Sequence, residues 1–179
     1  MRVSDEPLDR GAIVGLLTEI GVALDRRGIR GDLFVVGGAA MALAYNTRRS
    51  TRDVDGVFEP KLIVYEVADE VGARHGLAPG WLNDGVKGLL PGPDPDAREL
   101  LELPGLRVSV PSPQYLLALK VAAARVDRDA DDIRVLAAEC GLTTAREVLD
   151  LTEQVIGAAR PLVPKVQYLI EEMFPGAER

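Results

Sequence analysis

The sequence has few of the residues on which simple metal or disulfide assignments depend. Among 179 residues there is one cysteine, Cys140, and one histidine, His75. A single cysteine cannot form an intramolecular disulfide, and one histidine without cysteine neighbours cannot build a zinc site. We therefore interpret Cys140 as a buried, inert thiol and His75 as a helix-end or surface residue.

Aromatic residues and long apolar stretches are also scarce. Only 4% of the residues are aromatic, so the core must consist mainly of Leu, Val, Ala and Ile. No apolar run reaches the roughly 18 residues that a membrane span needs. The first ten residues, MRVSDEPLDR, are too acidic and too poor in apolar residues for a signal peptide. We expect a cytoplasmic protein with no membrane partner.

Net charge and chain length limit the class of protein and the number of domains. The net charge of −7 argues against a nonspecific nucleic-acid coat protein, although it permits a local basic patch. A composition of 47% hydrophobic and 27% charged residues is that of an ordinary globular chain. The length fits one domain, or one domain with a helical extension.

Hydrophobic periodicity predicts an α+β fold. The predicted helices cover 8–27, 39–45, 61–74, 113–126, 129–139, 143–159 and 161–173, and the predicted strands cover 33–36, 53–58, 100–103 and 106–110. The segment 77–96 is rich in Gly and Pro, which indicates loop with short strand pieces. We expect a small mixed β-sheet core over residues 1–111. A C-terminal helical bundle over residues 112–179 is expected to pack with it as one compact unit.

Gly37 and Gly38 follow a predicted buried strand and precede a predicted helix. Backbone N–H groups at such a position can bind phosphate, and glycine lets a ligand come close. The alternative is a tight turn that needs a positive φ. Arg48, Arg49 and Arg52 could bind triphosphate or RNA backbone, or form a solvated loop.

Asp53 and Asp55 lie two residues apart on a predicted strand, so both point to one face while Val54 points into the core. Adjacent carboxylates repel each other unless a cation neutralises them. A Mg²⁺ ion bound by one or two carboxylates and by substrate phosphates would do so. The alternative is a solvated pair at the end of a strand.

A second group of polar residues lies in the helical region. Ser112 is expected to cap a helix that begins at Pro113. Lys120 lies on an otherwise apolar side of that helix, where it either extends its amine to solvent or points into a cleft. Asp129 can cap the next helix, whereas Asp132, one turn further, has less structural reason to be there. Trp81 is expected to be a core anchor.

Together these motifs resemble the nucleotidyltransferase fold, and in particular the AbiEii-type nucleotidyltransferases, which include the MenT-type toxins. Three stretches carry the resemblance: Phe34 to Phe58 with Arg49-Ser-Thr-Arg-Asp-Val-Asp55, Trp81-Leu-Asn-Asp84 with Val86-Lys87, and Ser112 to Ile133 with Lys120, Arg125 and Arg128-Asp-x-x-Asp132. The matches run from about residue 34 to residue 136.

The resemblance implies a role for each matching residue. Gly37 and Gly38 would hold the triphosphate, with Arg49, Thr51, Arg52 and Arg125 as further phosphate-binding residues. Asp53 and Asp55 would bind Mg²⁺ or Mn²⁺, Lys120 would contact nucleotide phosphates, and Asp132 would complete the active site. Many relatives have serine after the first glycine. Because this chain has Gly38 there, backbone alone would contact phosphate at that position.

The implied activity is transfer of a nucleoside monophosphate from an NTP to an RNA 3′ end, with tRNA as the expected acceptor. The implied role is the toxin of a toxin–antitoxin system, with a cognate antitoxin protein as partner. The predicted strand Arg107-Val-Ser-Val110 contains no acid that could serve as the general base. Glu99, Glu102 and Asp132 therefore stay open as candidates for that role. The alternative is a nucleotide-binding or protein-interaction module of this fold with little or no transferase activity.

Overall fold

The structure is a computed structural model that describes residues 6–46, 48–123, 125–157 and 160–175. The chain divides into two compact units. The first unit comprises Met1–Leu89 with Ala97–Pro111, and the second comprises Leu90–Asp96 with Ser112–Arg179. A five-stranded mixed sheet lies in the first unit, and helices form the second. The predicted α+β class is confirmed.

The first unit combines the sheet with three α-helices. Its strands are β1 (Gly31–Val35), β2 (Val54–Glu59), β3 (Leu82–Asn83), β4 (Arg98–Leu103) and β5 (Leu106–Val110). Its helices are α1 (Arg10–Arg26), α2 (Gly37–Ala40) continuing into the π-helical turn Met41–Tyr45, and α3 (Lys61–His75), with a 3₁₀ turn at Lys87–Leu89. The strand order is β3-β2-β1-β5-β4, in which β2 is antiparallel to β1 and parallel to β3.

Side chains on the central strands alternate between a buried face and a more accessible face. On β2, Val54 and Phe58 are buried, whereas Asp55 is half-buried and Glu59 is exposed. Helix α1 packs on β4 and β5, and α3 packs on β2. The expectation that Val54 points into the core is confirmed, but the strand begins at Val54, so Asp53 precedes it and is not part of it.

The bounds of several predicted elements differ from those observed in the first unit. Helix α1 begins at Arg10 because the Asp9 carboxylate caps it, accepting a hydrogen bond of 2.8 Å from the Ala12 N–H. Leu8 forms an isolated bridge with Thr51 instead. The predicted helix 39–45 begins two residues earlier, at Gly37, and its second half is π-helical.

Trp81 is the core anchor that its size predicts. Its side chain is buried, and its indole N–H donates a hydrogen bond of 2.9 Å to the Ala68 carbonyl on α3. The helix approaches closely here because residue 72 is glycine: a Cβ on Gly72 would lie 2.6 Å from the indole. The segment that follows Trp81 is thereby fixed to α3.

The second unit contains four described helices: α4 (Pro113–Ala122), α5 (Val126–Glu139), α6 (Ala145–Ile156) and α7 (Pro164–Met173). Helix α4 packs against α5 and α6. The predicted cap is confirmed, since the Ser112 hydroxyl accepts from the Tyr115 N–H at 3.2 Å. None of the helices within the described part of the chain is long and apolar enough to cross a bilayer.

Two interpretations of this unit are wrong. Helix α5 begins at Val126 rather than at residue 129, and Arg125 occupies its N-cap position. Asp129 therefore lies inside the helix, where its N–H donates to the Arg125 carbonyl at 2.9 Å, and it does not cap it. Cys140 is half-buried rather than buried, and this partial burial raises the pKa of its thiol. Residues 124 and 158–159, which fall in predicted helices, lie outside the described residues.

Candidate functional site

The site in the first unit begins at the turn after β1. Gly37 has φ of +63°, a left-handed conformation that side chains disfavour, so a glycine is required to make this turn. The N–H of the preceding Val36 donates to the Asp55 carbonyl at 2.9 Å. The turn is therefore attached to β2 at the level of the candidate metal-binding residues.

Both glycines leave space that polar side chains of the same unit border. A Cβ on Gly37 would lie 3.4 Å from the Asp55 Oδ2 atom. A Cβ on Gly38 would lie 2.9 Å from the Thr51 Oγ1 atom, a distance that real Cβ atoms essentially never show. The sequence-predicted residues Gly37, Gly38, Thr51 and Asp55 are thus brought together.

Thr51 links the turn to the first aspartate. Its hydroxyl donates to Asp53 Oδ1 at 3.4 Å, and its backbone pairs with Leu8 through two hydrogen bonds of 2.6 and 2.9 Å. Position 38 carries no hydroxyl, but the Thr51 hydroxyl lies 2.9 Å from the place that a Cβ at that position would occupy. The turn therefore has a hydroxyl beside it, from the Thr51 that the resemblance implies as a phosphate-binding residue.

The arginines lie on the segment between the π-helical turn and β2. Arg48 and Arg52 are exposed, and Arg49 is half-buried. The Arg48 and Arg49 N–H groups donate to the side chain and carbonyl of Asn46, at 3.2 and 2.9 Å. These bonds connect the backbone of Arg48 and Arg49 to Asn46, and both arginines are close to Asp53 in the sequence.

Asp53 and Asp55 have the chemistry of ligands for a hard divalent cation. Asp53 is exposed and Asp55 half-buried, so both carboxylates are accessible beside the glycine turn. Mg²⁺ is usually bound by one or two carboxylates, with phosphate and water oxygens completing its octahedron. Within the described ranges, no group of three or more His, Cys, Asp or Glu side chains could hold a metal. A site here would therefore use two carboxylates and substrate oxygens.

The other predicted catalytic residues form a buried ion triad in the second unit. The Lys120 amine on α4 lies 2.8 Å from Asp129 Oδ1 and 2.8 Å from Asp132 Oδ2. Both aspartates are on α5, and their spacing of three positions puts them on one side of that helix. Lys120 is only 7% exposed, so it does not extend its amine to solvent. The sequence does not identify Asp129 as a partner of Lys120, because its position favours interpretation as a helix cap.

The triad gives Lys120 and Asp132 a structural role within the second unit. A buried ammonium is costly unless carboxylates neutralise it, and here two of them do. Arg125, the remaining predicted phosphate-binding residue, is exposed at the N-cap of α5. The roles that the resemblance implies for these three residues stay predictions.

The register shows which residues flank Asp55. Glu99 and Glu102 are on β4, three strands away from β2, which places their backbone about 14 Å away at ordinary strand spacing. Strand β2 lies between β1 and β3. On β3, Asn83 lies opposite Asp55. Asn83 was missed as a candidate because a strand of two residues has no periodicity to detect.

The segment around Asn83 is held by polar contacts with α3. The Asp84 carboxylate accepts from the Tyr65 hydroxyl at 2.6 Å and lies 2.5 Å from the Lys61 amine. Both contacts lower the pKa of Asp84, and the contact with Lys61 has the larger effect. The same hydrogen bond to Asp84 raises the pKa of Tyr65.

The sheet, the glycine turn and the paired aspartates define a nucleotidyltransferase-like core. A family model described as "Nucleotidyltransferase of unknown function (DUF6036)" matches residues 12–155, well over half of the chain. The chain belongs to this family, and the predicted nucleotidyltransferase assignment is confirmed at that level. The matched span includes the glycine turn, both aspartates and the ion triad. No curated protein and no solved structure gives a match.

The ion triad predicts that Lys120→Met is strongly destabilising. Removing the ammonium leaves two buried carboxylates without the cation that neutralises them. Loss of one partner of a buried ion pair lowers the free energy of unfolding by about 3–5 kcal/mol. Urea denaturation at neutral pH should show this loss. Lys165→Met, at an exposed position on α7, is the matched control and should change stability by less than about 0.5 kcal/mol. Equal stability of the two variants would contradict the triad.

The contacts of Asp84 predict a pH-dependent stability. Since its pKa in the folded state lies below the ordinary value, the stabilisation is present above about pH 4 and is lost as pH falls through the folded-state pKa. Asp84→Asn should therefore be less stable than the wild type at pH 7, and the difference should narrow on acidification. Thermal unfolding at several pH values measures this. A difference that grows towards acidic pH would contradict the assignment.

Proposed function

We propose that this chain transfers a nucleoside monophosphate from an NTP to a hydroxyl at an RNA 3′ end, with release of pyrophosphate. The observation that carries this proposal is the contact between the glycine turn and β2. Gly37 and Gly38 border the Asp55 carboxylate and the Thr51 hydroxyl, so phosphate-binding backbone and metal-binding side chains share one site. Membership of a nucleotidyltransferase family supports the same reaction class.

Each group of the first unit has a part in this reaction. The acceptor oxygen forms a bond to the α-phosphorus, and the bond from that phosphorus to the bridging oxygen breaks, so pyrophosphate leaves with the electron pair. The N–H groups at Gly37 and Gly38 would bind the leaving phosphates, while Arg49 and Arg52 would neutralise their charge. Asp53 and Asp55 would hold Mg²⁺ or Mn²⁺, which when bound neutralises phosphate charge and polarises the reacting phosphoryl group.

The finer assignment follows from the resemblance to AbiEii-type enzymes over residues 34–136. That resemblance supports RNA as acceptor, with tRNA as the first candidate, and supports a toxin that a cognate antitoxin protein neutralises. The arginine-bearing segment before β2 suits both the triphosphate and an RNA backbone. The proposed roles of Lys120 and Arg125 in phosphate contact and of Asp132 in the active site rest on this resemblance alone. A gene for a small neutralising protein beside this one would support the toxin role.

A nucleotide-binding module without turnover is the second candidate. The residue opposite Asp55 on β3 is Asn83, so this neighbouring position carries an amide and no carboxylate. Lys120 is already paired with two aspartates, which favours a structural role for it. Calorimetric titration with each NTP and Mg²⁺ separates the two candidates, because binding without transfer supports the module.

The proposed reaction predicts that Asp53→Ala and Asp55→Ala abolish transfer. Losing either carboxylate removes a charge-neutralising group from the reacting centre, and a loss of about a hundredfold or more is expected. The assay incubates the protein with labelled NTPs, Mg²⁺ and total RNA, and follows label in RNA. Asp69→Ala, an exposed aspartate on α3, is the control and should retain activity.

Two outcomes of this assay would contradict the proposal in different ways. If the wild type never labels RNA, and Asp53→Ala behaves like the wild type, RNA transfer fails. If the label appears on protein, the acceptor is a polypeptide, and nucleotidyl transfer stands while the RNA assignment falls.

A further inference from the structure

Asn83 lies directly beside Asp55 in the sheet. Strands β3 and β2 run parallel, with Val54 opposite Leu82 and Asp55 opposite Asn83. Leu82 and Val54 are buried, whereas Asn83 and Asp55 are both half-buried, so the latter two share the more accessible face. Neighbouring strands are about 4.8 Å apart, which puts the amide within reach of anything that Asp55 contacts.

The local turn determines which end of the Asn83 amide is available. Its Oδ1 atom accepts a hydrogen bond of 3.1 Å from the Gly85 N–H. A Cβ on Gly85 would lie only 3.2 Å from that oxygen, so the turn is closely fitted. The carbonyl end is therefore occupied, and the NH₂ end presents two donors.

The position of Asn83 is fixed on both sides along the chain. The preceding Trp81 is buried against α3, and its carbonyl accepts from the Val54 N–H at 2.6 Å. The following Asp84 is held by Lys61 and Tyr65. An amide placed between two such anchors loses little conformational entropy when it binds a ligand.

The strand order places the glycine turn and Asn83 on opposite sides of β2. Gly37 follows β1, on one side of β2, and Asn83 lies on β3, on the other side. In an in-line displacement the attacking oxygen and the leaving oxygen are on opposite sides of the phosphorus. If pyrophosphate leaves from the glycine turn, the acceptor hydroxyl approaches from the side of β3.

We propose that Asn83 binds the acceptor, with its Nδ2–H group donating a hydrogen bond to an oxygen of the terminal ribose or its phosphate. This inference rests on the proposed nucleotidyl transfer. An amide cannot take up the hydroxyl proton, which passes to solvent water as the new phosphodiester forms. Asn83 thus orients the attacking end of the RNA and contributes little to binding of the NTP.

The test is steady-state kinetics of Asn83→Asp with total tRNA as acceptor and each substrate varied in turn. The aspartate keeps the oxygen that accepts from Gly85 but removes both donors. The KM for tRNA should rise about tenfold, as expected for one lost hydrogen bond in a binding site, while the KM for the NTP stays within about twofold. Asn83→Ala should show the same split.

The matched control is Gln167→Glu, the same amide-to-carboxylate change at an exposed position on α7. It should leave both KM values unchanged. Calorimetric binding of the NTP, measured alongside, confirms that each variant retains a folded nucleotide site.

The possible results distinguish failure of the proposed role of Asn83 from failure of the proposed function. If the wild type transfers label to tRNA but Asn83→Asp and Asn83→Ala leave its KM unchanged, or raise both KM values equally, the role of Asn83 is overturned and the proposed function stands. If the wild type transfers no label to RNA, the proposed function fails, and the inference about Asn83 fails with it.

Discussion

The close approach of the Gly37-Gly38 turn to β2 is the constraint on which the site depends. Gly37 adopts a positive φ, and the Asp55 carboxylate borders the space that its side chain would fill. At Gly38 the Thr51 hydroxyl is nearer still. A methyl group at either position would enter the space that these two side chains border. Glycine is therefore needed here both for backbone conformation and for access.

The elements that position this site follow local rules, which is why the sequence predicts them. Only a few neighbouring residues are needed to predict each of these elements. They are the buried strand before Gly37, the alternation of buried and accessible residues around Asp55, and the helix cap at Ser112. The features missed depend on pairing between distant segments. The β3 register that puts Asn83 opposite Asp55 rests on a strand of two residues. The Lys120 triad depends on α5 beginning at Val126, three positions before the predicted start.

The triad changes the interpretation of the helical region. From the sequence alone, a lysine on an apolar helix side and an aspartate one turn into the next helix suggested catalytic groups. In the second unit the Lys120 amine lies 2.8 Å from a carboxylate oxygen of Asp132 and 2.8 Å from one of Asp129. Their ion pairs account for their presence without a ligand, whereas the glycine turn of the first unit borders the Asp55 carboxylate and the Thr51 hydroxyl. The proposed chemistry therefore rests most firmly on Asp53, Asp55 and the glycine turn.

The most direct measurement is calorimetric titration of ATP with Mg²⁺ into the wild type and into Gly38→Val. The account predicts binding by the wild type and loss of binding by the variant, because a Cβ would lie 2.9 Å from the Thr51 hydroxyl and fill the phosphate space. Gly15→Ala, on the exposed side of α1 with no atom within 4 Å of the new methyl group, should bind like the wild type. No binding by the wild type to ATP or to any other NTP, or equal binding by a folded Gly38→Val, would contradict it.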